Sequence, residues 1–358
     1  MKKNIGAGWL YFYIHFLTEI ACFYVLGNVT GNSVVLWLVP FVYDALAFVP
    51  QSLIGYISDR FPKINIGITG TVLLFFGVIF SFLDILPGRF TALTILCIGN
   101  CCLHISGAET TLRVSDGHLS HSAIFVGGGS FGVITGRLLA ASEVPFLLVS
   151  ALVLTMIPFV LLADLYRNKA DEKSACPCVL FDYHSKKIPP VLIVILTVFV
   201  VIVRGYMGYG IPTTWNKSVI QNVIFYVTMG IGKMLGGVLS DLIGIRKTAV
   251  LSVAAAVPFL LFGDNVMLIS LVGVMLFSMT MPITLAVLVS VLKYSPGLAF
   301  GLTTIGLFLG TAPIFFFKFT TFTANATVII VLSVLCVAVL LSILGKDAAK
   351  NGRHNDTC

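Results

Sequence analysis

Apolar residues fall along this chain in long unbroken runs, not in the alternation of a half-buried strand or the narrow stripe of a surface helix. Twelve runs can be drawn, at 8–27, 34–57, 64–84, 91–113, 122–142, 145–165, 189–210, 218–239, 248–263, 266–291, 297–317 and 325–345. Most are close to the ~20 residues that a helix needs to cross a bilayer. In hydrocarbon each backbone N–H and C=O must find a partner inside its own segment or around a closed barrel, so these runs predict helices. The connectors are mostly short, which makes neighbouring helices antiparallel. One long polar segment, Tyr166 to Lys187, divides the runs six and six. The expected fold is all-α and polytopic, with twelve transmembrane helices in two pseudo-symmetric six-helix bundles. Residues 1–165 form the first bundle, 166–188 a cytoplasmic linker, 189–345 the second bundle and 346–358 a cytoplasmic tail.

Composition removes the soluble alternatives. Of 358 residues, 58% are hydrophobic and 10% charged, and the mean hydropathy is +1.03. Soluble domains carry ~25% charged residues. The net charge of +7 would suggest a polyanion partner in a soluble protein, but its placement gives another cause. With the N-terminus in the cytoplasm, sixteen of the 22 basic residues fall in cytoplasmic segments. Three fall outside (Arg89, Lys217, Lys318) and three lie within runs (Arg137, Arg204, Lys233). That is the positive-inside bias, and one missed helix would invert it for every later loop. No nucleic-acid role is expected. Met1-Lys2-Lys3 before an apolar run resembles a signal peptide, but the run holds His15 and Glu19, so it is read as a retained first span. Cys176 and Cys178 share a polar loop, but two thiols do not complete a zinc site, so no metal and no cofactor is expected.

Two loops repeat. After the second run the chain reads Gly55-Tyr-Ile-Ser-Asp59-Arg60-Phe-Pro-Lys63, and after the eighth Gly237-Val-Leu-Ser-Asp241-Leu-Ile-Gly-Ile-Arg246-Lys247. The aspartates are 182 residues apart, about half the chain. Same side, six runs apart, they mark a parallel duplication, a design that places substrate between its halves. A glycine at a helix end permits close approach of another helix. An aspartate there can meet a facing helix N-terminus, where the dipole is positive. Gly55, Asp59, Arg60, Lys63, Lys233, Gly237, Asp241, Arg246 and Lys247 are therefore candidates for a latch that joins the halves in one state.

These loops resemble the Gly-x-x-x-Asp-Arg-x-Gly-Arg/Lys signature of the major facilitator superfamily. The resemblance extends through His15-Phe-Leu-Thr-Glu19, Tyr43-Asp44, Gly99-Asn100-Cys-Cys-Leu-His104 and Arg204-Gly-Tyr-Met-Gly208, which look like segments of the bacterial fosmidomycin-resistance-like efflux subgroup. Glu19 stands where that subgroup has aspartate, Ala108, Glu109 and Thr110 replace its further glycines, and Pro62 replaces a loop glycine. The resemblance implies the major facilitator fold, transport, antiport and efflux.

Charges and imidazoles inside the runs mark the candidate site, because such groups face a cavity or a partner. His15 and Glu19 share a helix face at four-residue spacing and can hold or pass a proton. Asn100 and His104 repeat that spacing. Asp44 can pair with Arg137 or Lys233, or take a proton. Arg204, ahead of a glycine-rich stretch and Pro212, suits a fixed anion partner, while snorkelling to the outer interface is its alternative. Glu109 and Arg113 are expected to form a surface ion pair, and Gly127 to Gly132 to permit close helix packing.

The function expected is secondary active transport of a small solute by alternating access, proton-coupled and directed outward. No nucleotide-binding or nucleophile motif supports an enzyme. A non-transporting sensor or scaffold is the second reading. The expected partners are a small-molecule substrate, protons and lipid. The expected setting is the bacterial inner membrane, as a multi-pass monomer with both termini cytoplasmic.

Overall fold

The structure is a computed structural model that describes residues 5–30, 38–82, 86–173, 179, 181–317 and 319–345. Cys176, Cys178 and the expected tail lie outside those residues. In chain order the helices are α1 (Ile5–Thr30), α2 (Leu38–Phe48), α3 (Gln51–Arg60), α4 (Ile66–Phe80), α5 (Leu86–Arg113), α6 (Ser120–Ala141), α7 (Phe146–Leu154) and α8 (Met156–Lys173). The second half supplies α9 (Pro190–Tyr209), α10 (Val219–Ile243), α11 (Ile245–Phe262), α12 (Met267–Ser278), α13 (Thr280–Val291), α14 (Pro296–Thr311) and α15 (Phe322–Ile343), with one 3₁₀ turn at Ala312–Phe315. Among the described residues there is no strand, only an isolated bridge between His184 and Leu344.

Three expected spans are broken, and prolines account for the breaks. α2 and α3 form one bent span around Val49 and Pro50. Pro50 has no N–H to give the preceding turn, and the carbonyls of Leu46 and Ala47 accept instead from Cys101 Sγ at 3.6 and 3.2 Å, with Gln51 Nε2 at 2.7 Å from Ala47. α7 and α8 part at Thr155, with Pro158 in the next turn, and α12 and α13 at Met279, with Pro282 following. Counting these as single spans, eleven helices among the described residues are long and apolar enough to cross a membrane. α4 is the exception: at 15 residues it is shorter than the run expected at 64–84. The chain is a multi-pass membrane protein.

The helices reproduce the duplication. α6 packs between α1 and α10, and α14 packs between α9 and α3. Each of the two is thus clamped between the opening span of its own half and a loop-bearing span of the other. At one end of the molecule the Asp59 carboxylate accepts from the backbone N–H of Gly297 at 3.1 Å and Leu298 at 2.9 Å, in the first turn of α14. The Asp241 carboxylate accepts from Leu119 at 2.8 Å and Ser120 at 3.0 Å, at the start of α6. Each aspartate satisfies N–H groups that a helix start leaves unpaired and places its charge at the positive pole. Glycine is required beside both: a Cβ on Gly55 would lie 2.3 Å from the Gly297 backbone, and one on Gly237 2.3 Å from Ala123 Cβ.

A strap crosses the same end. Tyr183 Oη donates to Gly117 O at 2.7 Å, and the Val179 and Ser185 N–H groups donate to Lys293 O and Ile343 O at 3.0 and 2.7 Å. His184 Nδ1 lies 3.0 Å from Ser290 Oγ. The polar segment between the halves is therefore pinned to both of them where the aspartates grip.

Candidate functional site

α1 supplies the first two site residues. Its inner face lies against α6, where Gly128 and Gly132 let the helices meet so closely that a Cβ would fall 2.4 Å from Phe12 O and 2.3 Å from Phe16 O. This is the close packing expected of the glycine-rich stretch. It brings His15 and Glu19 against α5, and there they meet His104 and Asn100. His15 Nε2 is 2.8 Å from His104 Nε2. Glu19 Oε1 is 3.6 Å from His15 Nε2, 3.3 Å from His104 Nε2 and 3.3 Å from Asn100 Nδ2. Asn100 Nδ2 also donates to Cys22 Sγ at 3.3 Å. All four residues are buried. The two four-residue spacings read from sequence converge into one cluster.

His15, Glu19 and His104 line a cavity of about 530 Å³, within the size range of small-molecule sites. It runs from this cluster to Gly27 and Pro40, away from the aspartate grips. Towards the grips it is sealed. Phe300 lies over His104 and against Phe125, and Tyr11 Oη bonds Ser106 Oγ at 2.7 Å, all in buried surroundings. Asp44, Arg137 and Lys233 also line the cavity. Arg137 is open to it, with its guanidinium 5.1 Å over the Phe23 ring and 5.2 Å over that of Tyr226, a cation–π clamp that bridges the halves. Lys233 Nζ donates to Ser130 Oγ at 2.8 Å, also across the halves.

Several sequence expectations change. Lys233, grouped with the latch because it precedes Gly237 by one turn, points into the cavity. Asp44 forms an ion pair with neither Arg137 nor Lys233 among the described residues; each cation has taken aromatic or hydroxyl partners instead. Arg204 is buried outside the cavity lining with its Nε unpartnered, so it does not snorkel. Glu109 is 2% exposed and reaches towards Gly297, so it is no surface residue. In the loops, Arg60 lies 5.2 Å over the Tyr56 ring, Arg246 donates to Leu341 O at 3.2 Å, and Lys63 and Lys247 are exposed. Each aspartate accepts from two backbone amides, and Asp241 Oδ2 also lies 3.9 Å from His118 Nδ1. Sequence reasoning missed Ser130, Tyr226 and Phe300, whose roles come from packing between halves and leave no spacing signal.

An all-helical bundle of two clamped halves around a charged cavity is the architecture of the major facilitator fold, and comparison with solved structures places the chain in it. The human organic anion transporter MFSD10 (TETRAN) superposes with a TM-score of 0.62 at 13% identity, covering 95% of this chain and 98% of that one. The Escherichia coli fucose:proton symporter FucP superposes at 0.59 with 15% identity and the same coverage. FucP in its outward conformation gives 0.54 at 14% identity over 92% of this chain and 97% of that one. No family model matches the sequence, and no curated relative matches it.

Proposed function

We propose that this chain is a secondary active transporter that carries a small anionic solute by alternating access, driven by proton movement through the His15–Glu19–His104 cluster. The observation that carries the reading is the cavity itself. It lies between two duplicated halves, is closed at one end, and offers carboxylates and imidazoles from α1, α2 and α5 opposite cations from α6 and α10. The halves are residues 1–165 and 189–345, joined by 166–188. The gripped end bears Arg60, Lys63, Lys186, Lys187, Arg246, Lys247 and Lys293, which makes it cytoplasmic under the positive-inside rule. The cavity then faces outward with the inner latch shut.

Arg137 and Lys233 serve as anion partners and Glu19 as the proton carrier, with Asp44 as a second acid. The same fold serves an organic anion transporter and a fucose:proton symporter, which is why an anion and a proton are the cargo and ion chosen for this reading. Export in exchange for protons is the direction that the efflux-like motifs favour. The working unit is a monomer in a bacterial inner membrane.

The test is proton flux in proteoliposomes under an imposed pH gradient, with a panel of small organic anions added. Wild-type protein is expected to move protons on addition of at least one anion, and Glu19→Gln and Asp44→Asn to reduce that flux tenfold or more. If both variants keep full gradient-driven flux, the coupling assignment is wrong.

A further inference from the structure

Three acceptor atoms meet at one point of the cavity wall: His15 Nε2, His104 Nε2 and Glu19 Oε1. Their tautomers follow from the other ring nitrogens. His15 Nδ1 lies 2.9 Å from Phe125 O, and His104 Nδ1 lies 2.9 Å from Asn100 O. A carbonyl oxygen only accepts, so each Nδ1 carries the ring proton and each neutral Nε2 presents a lone pair. The lone pairs face each other at 2.8 Å beside a carboxylate oxygen at 3.3 and 3.6 Å. Acceptors in such contact repel unless a cation sits among them.

We propose that this point is a binding site for one divalent first-row transition-metal ion, ligated by His15 Nε2, His104 Nε2 and Glu19 Oε1 and open to the cavity at its remaining position. Two imidazoles and a carboxylate suit such ions. The separations suit them too. Bonds of ~2.0–2.1 Å in a tetrahedron hold ligand atoms about 3.3 Å apart. The two glutamate–histidine distances already approach that, and the histidine pair must open by only about 0.5 Å to match tetrahedral geometry.

The supporting contacts are those of a ligating histidine. Each ring donates its other N–H to a backbone carbonyl, which fixes the orientation of the free lone pair. Asn100 Nδ2 holds the glutamate oxygen in place. Space is provided as well: a Cβ on Gly129 would stand 2.4 Å from His15 Nε2, so only glycine leaves that nitrogen uncovered. All three ligands line the cavity, which gives an ion a way in. A proton shared between the two Nε2 atoms is the rival occupant, and metal entry displaces it. Metal and proton therefore compete for one point, an occupied site stops the proton movement proposed above, and the site is tested without transport.

Protein purified in detergent is stripped with chelator and dialysed against Zn²⁺ at neutral pH, and bound metal is measured by mass spectrometry. The expected result is one Zn²⁺ per chain, with affinity lowered at least tenfold in each of His15→Gln, His104→Gln and Glu19→Gln and unchanged in His118→Gln, which removes an imidazole near the grips. Co²⁺ bound in place of Zn²⁺ gives ligand-field bands that each of the three variants abolishes, a readout that general loss of stability does not mimic. Wild-type protein without saturable Zn²⁺ binding, or binding that survives both His104→Gln and Glu19→Gln, overturns the site and leaves the point to a proton alone.

Discussion

Glu19 is the residue on which the site turns. It is the only carboxylate in contact with both imidazoles among the described residues, and it reaches them from a helix face shared with His15. A charge held there costs at least ~2.5 kcal/mol on insertion scales, and the Asn100 Nδ2 donor offsets part of it. Lys233 and Arg137 line the cavity as well, and in the proposed function they bind the solute. Lys233→Ala and Arg137→Ala are each expected to raise the KM for the transported anion about tenfold while the protein folds normally, as read by initial-rate uptake. An unchanged KM in both variants would remove the cations from the solute site. The His15–Glu19 pair was legible in the sequence because four-residue spacing fixes a shared helix face. Its meeting with His104, 89 positions away, was not, because it depends on the glycine contacts that set α1 against α6. Lys233 was misplaced for a related reason. Its distance along α10 from Gly237 says nothing about which face of the helix turns inward.

Each half contributes a helix end that grips the other half. Asp59 on α3 holds α14, and Asp241 at the end of α10 holds α6, in the same geometry. The repeat was readable from the two loops, and so was the idea that an aspartate meets a helix N-terminus. Arginines and lysines of the loops were grouped with the latch, but the aspartates' hydrogen bonds go to backbone amides, and sequence does not show which helix start lies opposite. An anion at a helix start contributes ~0.3–2 kcal/mol, so losing one grip loosens the end without unfolding the bundle. Asp59→Ala and Asp241→Ala are each expected to expose the seal above the cavity. A cysteine placed at Ser106, now 1% exposed, should then react with a membrane-impermeant maleimide several times faster in everted vesicles. Unchanged labelling in both would show that the grips do not hold the end shut.

The strap is a second holding element at that end, and pH acts on it. Burial first, then the charge of Lys186, pushes His184 below its ordinary value of 6.5. Asp182 is also held low: partial burial works to raise it, but the hydrogen bond and charge of Lys186, then Lys293, outweigh that. Both groups have depressed folded values, so the stability they lend is present above their unfolded values and lost on acidification. Protection of the backbone amides at 181–187, taken as exchange relative to the intrinsic rate at each pH, should fall below about pH 6, and His184→Gln should flatten the histidine part of that profile. Protection that is level from pH 8 to pH 5 would contradict it.

At the scale of the whole molecule, two halves share one cavity, and all the cross-half contacts named here lie at its closed end or along its walls. Rocking about the cavity would break the grips at one end while drawing the other end together. Paired spin labels test this directly in proteoliposomes: one pair at the exposed positions Lys63 and Lys247 beside the grips, one at the exposed Glu143 and Lys217 at the far end. Under a pH gradient with transported solute present, the account predicts that the first distance lengthens as the second shortens. Distances that stay fixed, or that change in the same direction, would contradict it.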